Sequence, residues 1–285
     1  MIISAVLRPV VRQVRKSRAV TVCALILLFV AAIAIAGSIL SPHAYVDTNF
    51  DNRFLSPTFA DAHLFGTDNL GRDLFARTML GIKVTLLVAV IASVVSLVIG
   101  VLYGALAGYI GGKLDAVMMR AVDALYALPF IFFVILLMVV FEQSFMLIFI
   151  AIGAVNWLDM ARIVRGQTMS LKQKEFVEAA RVIGVPTRGI ILRHITPNLL
   201  GVVVVYMTLT IPQAILLESF LSFLGLGVQE PQTSLGALVN DGVGHMEQAP
   251  WLLVVPATVL ALILLCFNFL GDGLRDLSDP KRAVR

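Results

Sequence analysis

Long apolar runs recur at six places along the chain, at about 19–40, 84–110, 115–141, 144–161, 199–223 and 251–271. Crossing the hydrocarbon core of a bilayer takes roughly 20 residues at about 1.5 Å of rise each, and each run approaches or exceeds that length. The fourth is the shortest and carries Asn156 and Asp159 near one end. The pattern predicts an all-α membrane protein of six transmembrane helices in a single domain. Hydrophobic residues make up 59% of the 285 positions and charged ones 14%, so a soluble globular fold is excluded. Ala34-Ile35-Ala36 imitates a signal-peptidase site, yet the apolar run from Ala19 to Ala36 outlasts the core of about 7–15 residues found in cleaved signals. The first run is therefore expected to remain as an anchor.

Orientation follows from the cations, which resist translocation. Of the 22 Lys and Arg residues, all but Arg53, Arg72, Arg77 and Lys83 fall on one side when the runs are threaded alternately. That side holds the arm 1–18, the loop 162–198 and the tail 272–285, so both termini are expected in the cytoplasm. The net charge of +4 is this asymmetry itself and implies no nucleic-acid partner. Cys23 and Cys266 lie inside apolar runs and are expected as buried thiols without a disulfide. His43, His63, His194 and His245 have no ligand spacing, so no metal site is expected.

Polar features between the runs narrow the function. The outer segment 41–83 contains Gly66-Thr67-Asp68-Asn69-Leu70-Gly71-Arg72-Asp73, a turn leading into a helix that Asp68 or Asn69 can cap. Gly100, Gly104 and Gly108 recur every four residues on the second run, the spacing that lets helix backbones approach in lipid, within this chain or against another subunit. On the third run Arg120 and Asp123 lie three apart, a spacing at which they can pair, and Pro129 permits a kink. Ionisable groups at membrane depth are functional candidates. Asp123 reads either in that way or as an interfacial ion pair, and Glu218 as lining a pathway or reaching out to the interface. The last outer segment, 224–250, is rich in Gly and Pro and reads as an ordered loop, dipping toward the pore mouth.

The largest cytoplasmic loop carries Ser170-Leu171-Lys172-Gln173, which fits a capping box. A helix of about thirteen residues is expected from there to Ile183, ending at Gly184, with Phe176, Ala180 and Ile183 on one face. Lys174–Glu178 and Glu178–Arg181 are spaced for ion pairs, and Pro186 suits the start of a second short helix. Two readings stay open on these grounds: a dock for a partner protein, or an amphipathic helix lying on the membrane.

The run Glu178-Ala179-Ala180, with Gly184, Ile195 and Pro197 downstream, resembles the EAA loop of ABC importer permeases. Gly66-Thr67-Asp68, Gly71-Arg72-Asp73, Gly271-Asp272-Gly273-Leu274-Arg275-Asp276 and Asp279-Pro280 are similar to the dipeptide/oligopeptide permeases. The tracts Trp157–Gln167 and Glu218–Gly227 look most like the second (C-type) permease subunits of that family. The similarity covers about 60–282; the N-terminal arm is relatively short. The resemblance implies a type I ABC importer permease in a bacterial inner membrane, paired with a homologous permease. Two ATP-binding subunits would bind ATP and Mg, and an extracytoplasmic binding protein would deliver peptide. In such a protein Glu178, Ala179, Ala180 and Gly184 form the docking turn, with Phe176 and Ile183 as apolar anchors. Arg72 and Asp73 would order the outer segment against the second permease. Relatives of this fold carry dipeptides, oligopeptides, murein peptides, nickel chelates or haem; overall likeness favours oligopeptides.

The chain has no G-x-x-x-x-G-K-[S/T]; its only Gly-Lys pair is Gly112-Lys113, followed by Leu114. Without a phosphate cradle, nucleotide hydrolysis is expected from partners. A secondary transporter is the rival class. It would want broken helices and paired ionisable groups at mid-depth, where this chain offers Asp123, Glu218 and a few prolines.

Overall fold

The computed structural model describes residues 17–59, 61–141 and 145–278, and their side chains except those of 38, 40, 138, 139, 141, 145–148, 277 and 278. Most of the expected arm 1–18 and the end of the tail 272–285 lie outside the described residues. So do Arg8, Arg12, Arg15, Lys16, Lys281, Arg282, Arg285 and Asp279-Pro280.

Among the described residues the fold is helical, with no strand beyond one isolated bridge, Thr67 to Asp73. Helix α1 spans Arg18–Leu40, α2 Leu74–Ile110, α3 Gly112–Tyr126, α4 Phe130–Phe141 and α5 Phe145–Leu171. The short α6 (Glu175–Val182) and α7 (Thr187–Gly189) follow. A π-helical stretch, Ile190–Ile195, then leads into α8 (Thr196–Phe223), and α9 (Leu235–Gly244) and α10 (Trp251–Ser278) complete the chain. Four stretches are long and apolar enough to cross a membrane: α1, α2, Thr187–Phe223 and α10. A fifth results if α3 and α4, bent by 83° around Pro129, count as one span. Both cysteines are buried and free.

Helix α2 is the axle of the bundle. It packs on α1, α5, α8 and α9, most extensively on α5. The glycine row explains that contact. A Cβ on Gly100 would stand 2.6 Å from Met160 Cβ, one on Gly104 2.4 Å from the Ala161 carbonyl oxygen, and one on Gly108 2.7 Å from that of Arg165. All three glycines therefore face α5 within the chain, and the two backbones touch. On the outer side of this contact lies the main apolar core, with Val88, Ala92, Ile152, Ile215 and Ile263 among its fully buried members. A second core at the inner end joins α2, α5, α6, the π stretch and α8 through Tyr109, Val164, Val177, Ile191 and Leu199.

Four local expectations are corrected. Asp73, rather than Asp68 or Asn69, caps α2, its carboxylate accepting the Ala76 N–H. The helix itself begins at Leu74, directly after the expected turn, and so extends ten residues ahead of the apolar run that starts at about 84. The Ser170 capping box does not form. Thr168 is fully buried against Gly108, so packing carries α5 through Ser170 to Leu171, overriding the local cap signal. Helix α6 consequently has eight residues rather than about thirteen. The last outer segment contains a helix, α9, capped by the Ser234 hydroxyl accepting the Ala237 N–H at 3.1 Å. Pro186 stands, as expected, at the head of a second short helix.

Because a side chain at Gly104 meets a backbone carbonyl that cannot move aside, Gly104→Val is expected to cost roughly 3 kcal/mol or more, beyond ordinary overpacking. Gly201→Ala, with open space around it, is expected to be neutral or slightly stabilising. Thermal unfolding midpoints in detergent check both.

Candidate coupling surface and outer charge cluster

At the inner end, Glu175 and Glu178 lie in the first turn of α6 and Arg181 in the last, each sign favourably placed on the helix dipole. Gly184, at φ +82°, ends the helix. Its N–H donates to the Arg181 carbonyl at 3.1 Å, and that of Val185 to Ala180 at 3.0 Å, the Schellman arrangement that only a residue tolerant of positive φ completes cheaply. Val177 (0% exposed) and Ala180 (3%) face the inner core, whereas Val182 (86%) and Ile183 (78%) face outward with Phe176, Glu178 and Ala179. The expected single face is therefore split. The helix ends at Val182, which frees Ile183 from the helical register, and Ala180 belongs to the inward side. The ion pairs expected of Glu178 with Lys174 and Arg181 are not formed among the described residues. Arg181 and Lys172 instead lie 5.9 and 6.0 Å from the Tyr109 ring at the foot of α2. The inward face is thus committed to the ends of the long helices, and the apolar outward face has no cover among the described residues.

Two further ion pairs tie the inner ends together. Arg165 of α5 grips Asp115 of α3 with two bonds, 2.5 and 2.6 Å. Asp123 pairs with Arg162 of α5 at 2.9 Å, not with Arg120, because α5 brings Arg162 over the Tyr126 ring, 4.5 Å from its centroid.

At the outer end a second polar assembly forms. Asp68 accepts the backbone N–H groups of Leu70 and Arg72 at 2.8 and 2.9 Å, the Arg72 guanidinium at 2.7 Å, and Arg77. Arg72 also reaches Glu230 at 2.9 Å, and Arg77 lies 3.5 Å from Glu230 and 3.6 Å from Asp241 of α9. Asp73 binds His63 at 2.9 Å. Burial alone would raise the Asp68 carboxyl, but Arg77 and the Arg72 N–H and guanidinium outweigh it and hold it below the usual carboxylate range. Burial pulls Arg72 down while Asp68 and Glu230 more than compensate, so it is raised. Asp241 is raised, chiefly by burial, with Glu230 and Asp68 adding to the effect against Arg77. Nearby, Glu218 is fully buried. It accepts the Ser222 hydroxyl at 2.7 Å; Ser222 contacts Ser234 at 3.2 Å, and the next residue, Leu235, donates its N–H to Thr85 at 3.0 Å. This relay ties α9 to α8 and α2.

Against known families, residues 100–284 match the binding-protein-dependent transport system inner membrane component. The chain belongs to that family. Residues 6–57 of this inner membrane component match the N-terminal transmembrane domain of oligopeptide transport permease C. It is 56% identical over 270 residues to the oligopeptide transport system permease protein OppC of Escherichia coli K12, covering 95% of this chain and 89% of that protein. The Haemophilus influenzae OppC is 53% identical, over 95% and 87%. The dipeptide transport system permease protein DppC of Bacillus subtilis is 45% identical, over 95% and 84%.

In this inner membrane component, Glu178, Ala179, Gly184, Phe176 and Ile183 are all exposed around one turn, and Ala180 supports them from beneath. Arg72 and Asp73 are buried within the chain's own outer segment, where Arg72 binds Asp68 and Glu230 and Asp73 binds His63. Glu218 reaches no surface of this chain: it is fully buried beneath α9 and bonded to Ser222. Sequence reasoning missed Arg77, Glu230 and Asp241, which lie far apart along the chain. The one available signal was an arginine, Arg77, one turn inside a helix after two aspartates.

Removing one partner of a buried ion pair costs about 3–5 kcal/mol, so Asp68→Asn is expected to lower the unfolding midpoint markedly at neutral pH. A carboxylate held below its usual range stabilises the fold above the unfolded value of about 3.9. That contribution is lost as pH falls through the folded value. The gap between wild type and Asp68→Asn is thus expected to be full above about pH 5 and to narrow under stronger acid, as read from midpoints across a pH series.

Proposed function

We propose that this chain is one of two homologous permease subunits of an ATP-driven oligopeptide importer. Six transmembrane helices, with both termini in the cytoplasm, line half of the pathway. The charge asymmetry of the sequence supports that threading, and the kinked α3–α4 pair together with α5 supplies the crossings beyond α1, α2, α8 and α10. Two partner ATPases bind ATP and Mg beneath, and a binding protein delivers peptide outside.

The observation that carries this reading is the two-sided construction of α6 and its glycine turn. One side is fused to the feet of the long helices, and the other presents an exposed apolar tip, Val182 and Ile183, edged by Glu178 and Arg181. A helix meant to lie on the membrane would turn its whole apolar face to lipid; here Val177 and Ala180 are spent inward. A push on α6 from a closing ATPase passes through Val177 and Ala180 to Tyr109 of α2 and to Ile190, Ile191 and Ile195. Those isoleucines sit in the π stretch, a local geometry frequent at functional sites. Oligopeptides are favoured as cargo by the names of the relatives at 56% and 53% identity; dipeptides follow from the one at 45%.

Gly184→Val forces a β-branched residue into a left-handed backbone, and open space around Gly184 makes this strain the only effect. The variant is expected to insert normally yet lose peptide uptake. Ile183→Glu, exposed and structurally idle, is expected to reduce recovery of the ATPase chains at least tenfold in a mild-detergent pull-down. Normal uptake by the first and undiminished recovery with the second would overturn the coupling role.

A further inference from the structure

We infer that Asp159 and the aromatic cavity beside it form a transient binding site for a cationic group of the cargo, an ammonium or guanidinium. The inference rests on reading the chain as a peptide importer. Asp159 lies fourteen residues into α5, about 21 Å along its axis, toward the inner end of the apolar run and one turn before Arg162. Its neighbours Leu158, Met160 and Ala161 are buried in the bundle, whereas Asp159 is exposed. It lines a cavity of about 460 Å³ with Tyr126, Phe130, Phe133 and Trp157, within the range of about 300–1,000 Å³ typical of ligand pockets.

Charge accounting makes this carboxylate distinctive. Arg162, one turn further along α5, is engaged by Asp123 and by the Tyr126 ring. Arg165 is engaged by Asp115. Among the described residues no hydrogen bond or ion pair reaches Asp159. A carboxylate left without a partner at the mouth of an apolar, aromatic-lined cavity is open to a cation from outside the chain. The surroundings specify the kind of cation. A single carboxylate in an apolar cavity cannot replace the oxygen shell of a divalent metal ion, and no grouping of three ligating side chains exists among the described residues. An organic ammonium or guanidinium, by contrast, takes one carboxylate and ring faces.

The aromatic wall is also fixed in advance. Trp157 packs edge-on against Tyr103 at 5.0 Å, and the Tyr103 hydroxyl donates to the Met118 carbonyl at 2.9 Å. Helices α2, α3 and α5 therefore hold the indole in place, at the 83° bend where α3 gives way to α4.

The test uses the whole importer, purified with its binding protein and reconstituted in liposomes. Three peptides are compared: a tripeptide of alanine and phenylalanine with a free N-terminus, its N-acetyl form, and an N-acetyl form carrying one lysine. For each, uptake by the variant is divided by that of wild type, which cancels the binding protein's own preference. Asp159→Asn is expected to lower the ratio about tenfold for a cationic peptide and to leave the N-acetyl neutral peptide within twofold, with Asp159→Glu restoring most uptake. A fall confined to the free N-terminus, or to lysine, identifies which cation is bound; a fall in both assigns both. Trp157→Leu keeps the carboxylate and is expected to lower the same ratios about threefold, which serves if Asp159→Asn fails to assemble. Equal falls for all three peptides with either variant, or no fall at all, would overturn the site. Failure of the wild-type chain to copurify with ATPase subunits or to take up any peptide would instead overturn the importer reading.

Discussion

Everything in this fold hangs from the line where α2 and α5 touch backbone to backbone. In lipid there is no hydrophobic drive to hold two apolar helices together, so association rests on close packing. Gly100, Gly104 and Gly108 supply it by letting α5 carbonyls come where side chains would otherwise stand. The contact runs from mid-bundle to the inner end, so it fixes the height of α5 against α2. The positions of Asp115, Asp123 and their arginine partners follow from that height. So does the continuation of α5 past Ser170, which decides where α6 begins.

Polar assemblies at the two ends hold the long helices in register, and they differ in kind. The outer one is buried, with Asp68, Arg72, Arg77 and Asp73 nearly inaccessible. The inner one is partly exposed and grades into the α6 turn. Motion of α9 against α2 at the outer rim would have to break the contacts of Arg72 and Arg77 with Glu230 and Asp241, whereas at the inner rim Val177 and Ala180 meet their neighbours through apolar packing alone.

The all-helical, multi-span character was legible in the sequence, because span length is a property of local composition. The glycine row and the kink at Pro129 were legible for the same reason, and so was the glycine ending α6. What could not be read depended on distant residues. Ser170 looks like a cap, and only the packing of Thr168 on Gly108 shows why the helix runs through it. Arg120 looks like the mate of Asp123 until α5 brings Arg162 across. Phe176 and Ile183 were placed outward correctly, but Ala180 was put with them because the helix was taken to be longer than it is. Glu218 reads as a pathway charge in isolation; the serine relay that seals it comes from α9, a helix whose Gly-rich sequence disguises it.

The outer cluster has a consequence for how the protein is made. Asp68, Arg72 and Arg77 emerge together and can pair as soon as α2 begins to form. Glu230 and Asp241 arrive only after some 150 further residues and the insertion of α8 between them. Chains grow from the N-terminus at about 5–20 residues per second, so for many seconds the two arginines share a single carboxylate. The arrival of the last outer segment then completes the charge balance and locks α9 onto α2. The final hairpin of the protein thus closes a joint prepared by the first, and a chain cut short before α9 would carry its incompleteness as an unmet positive charge on the outer surface.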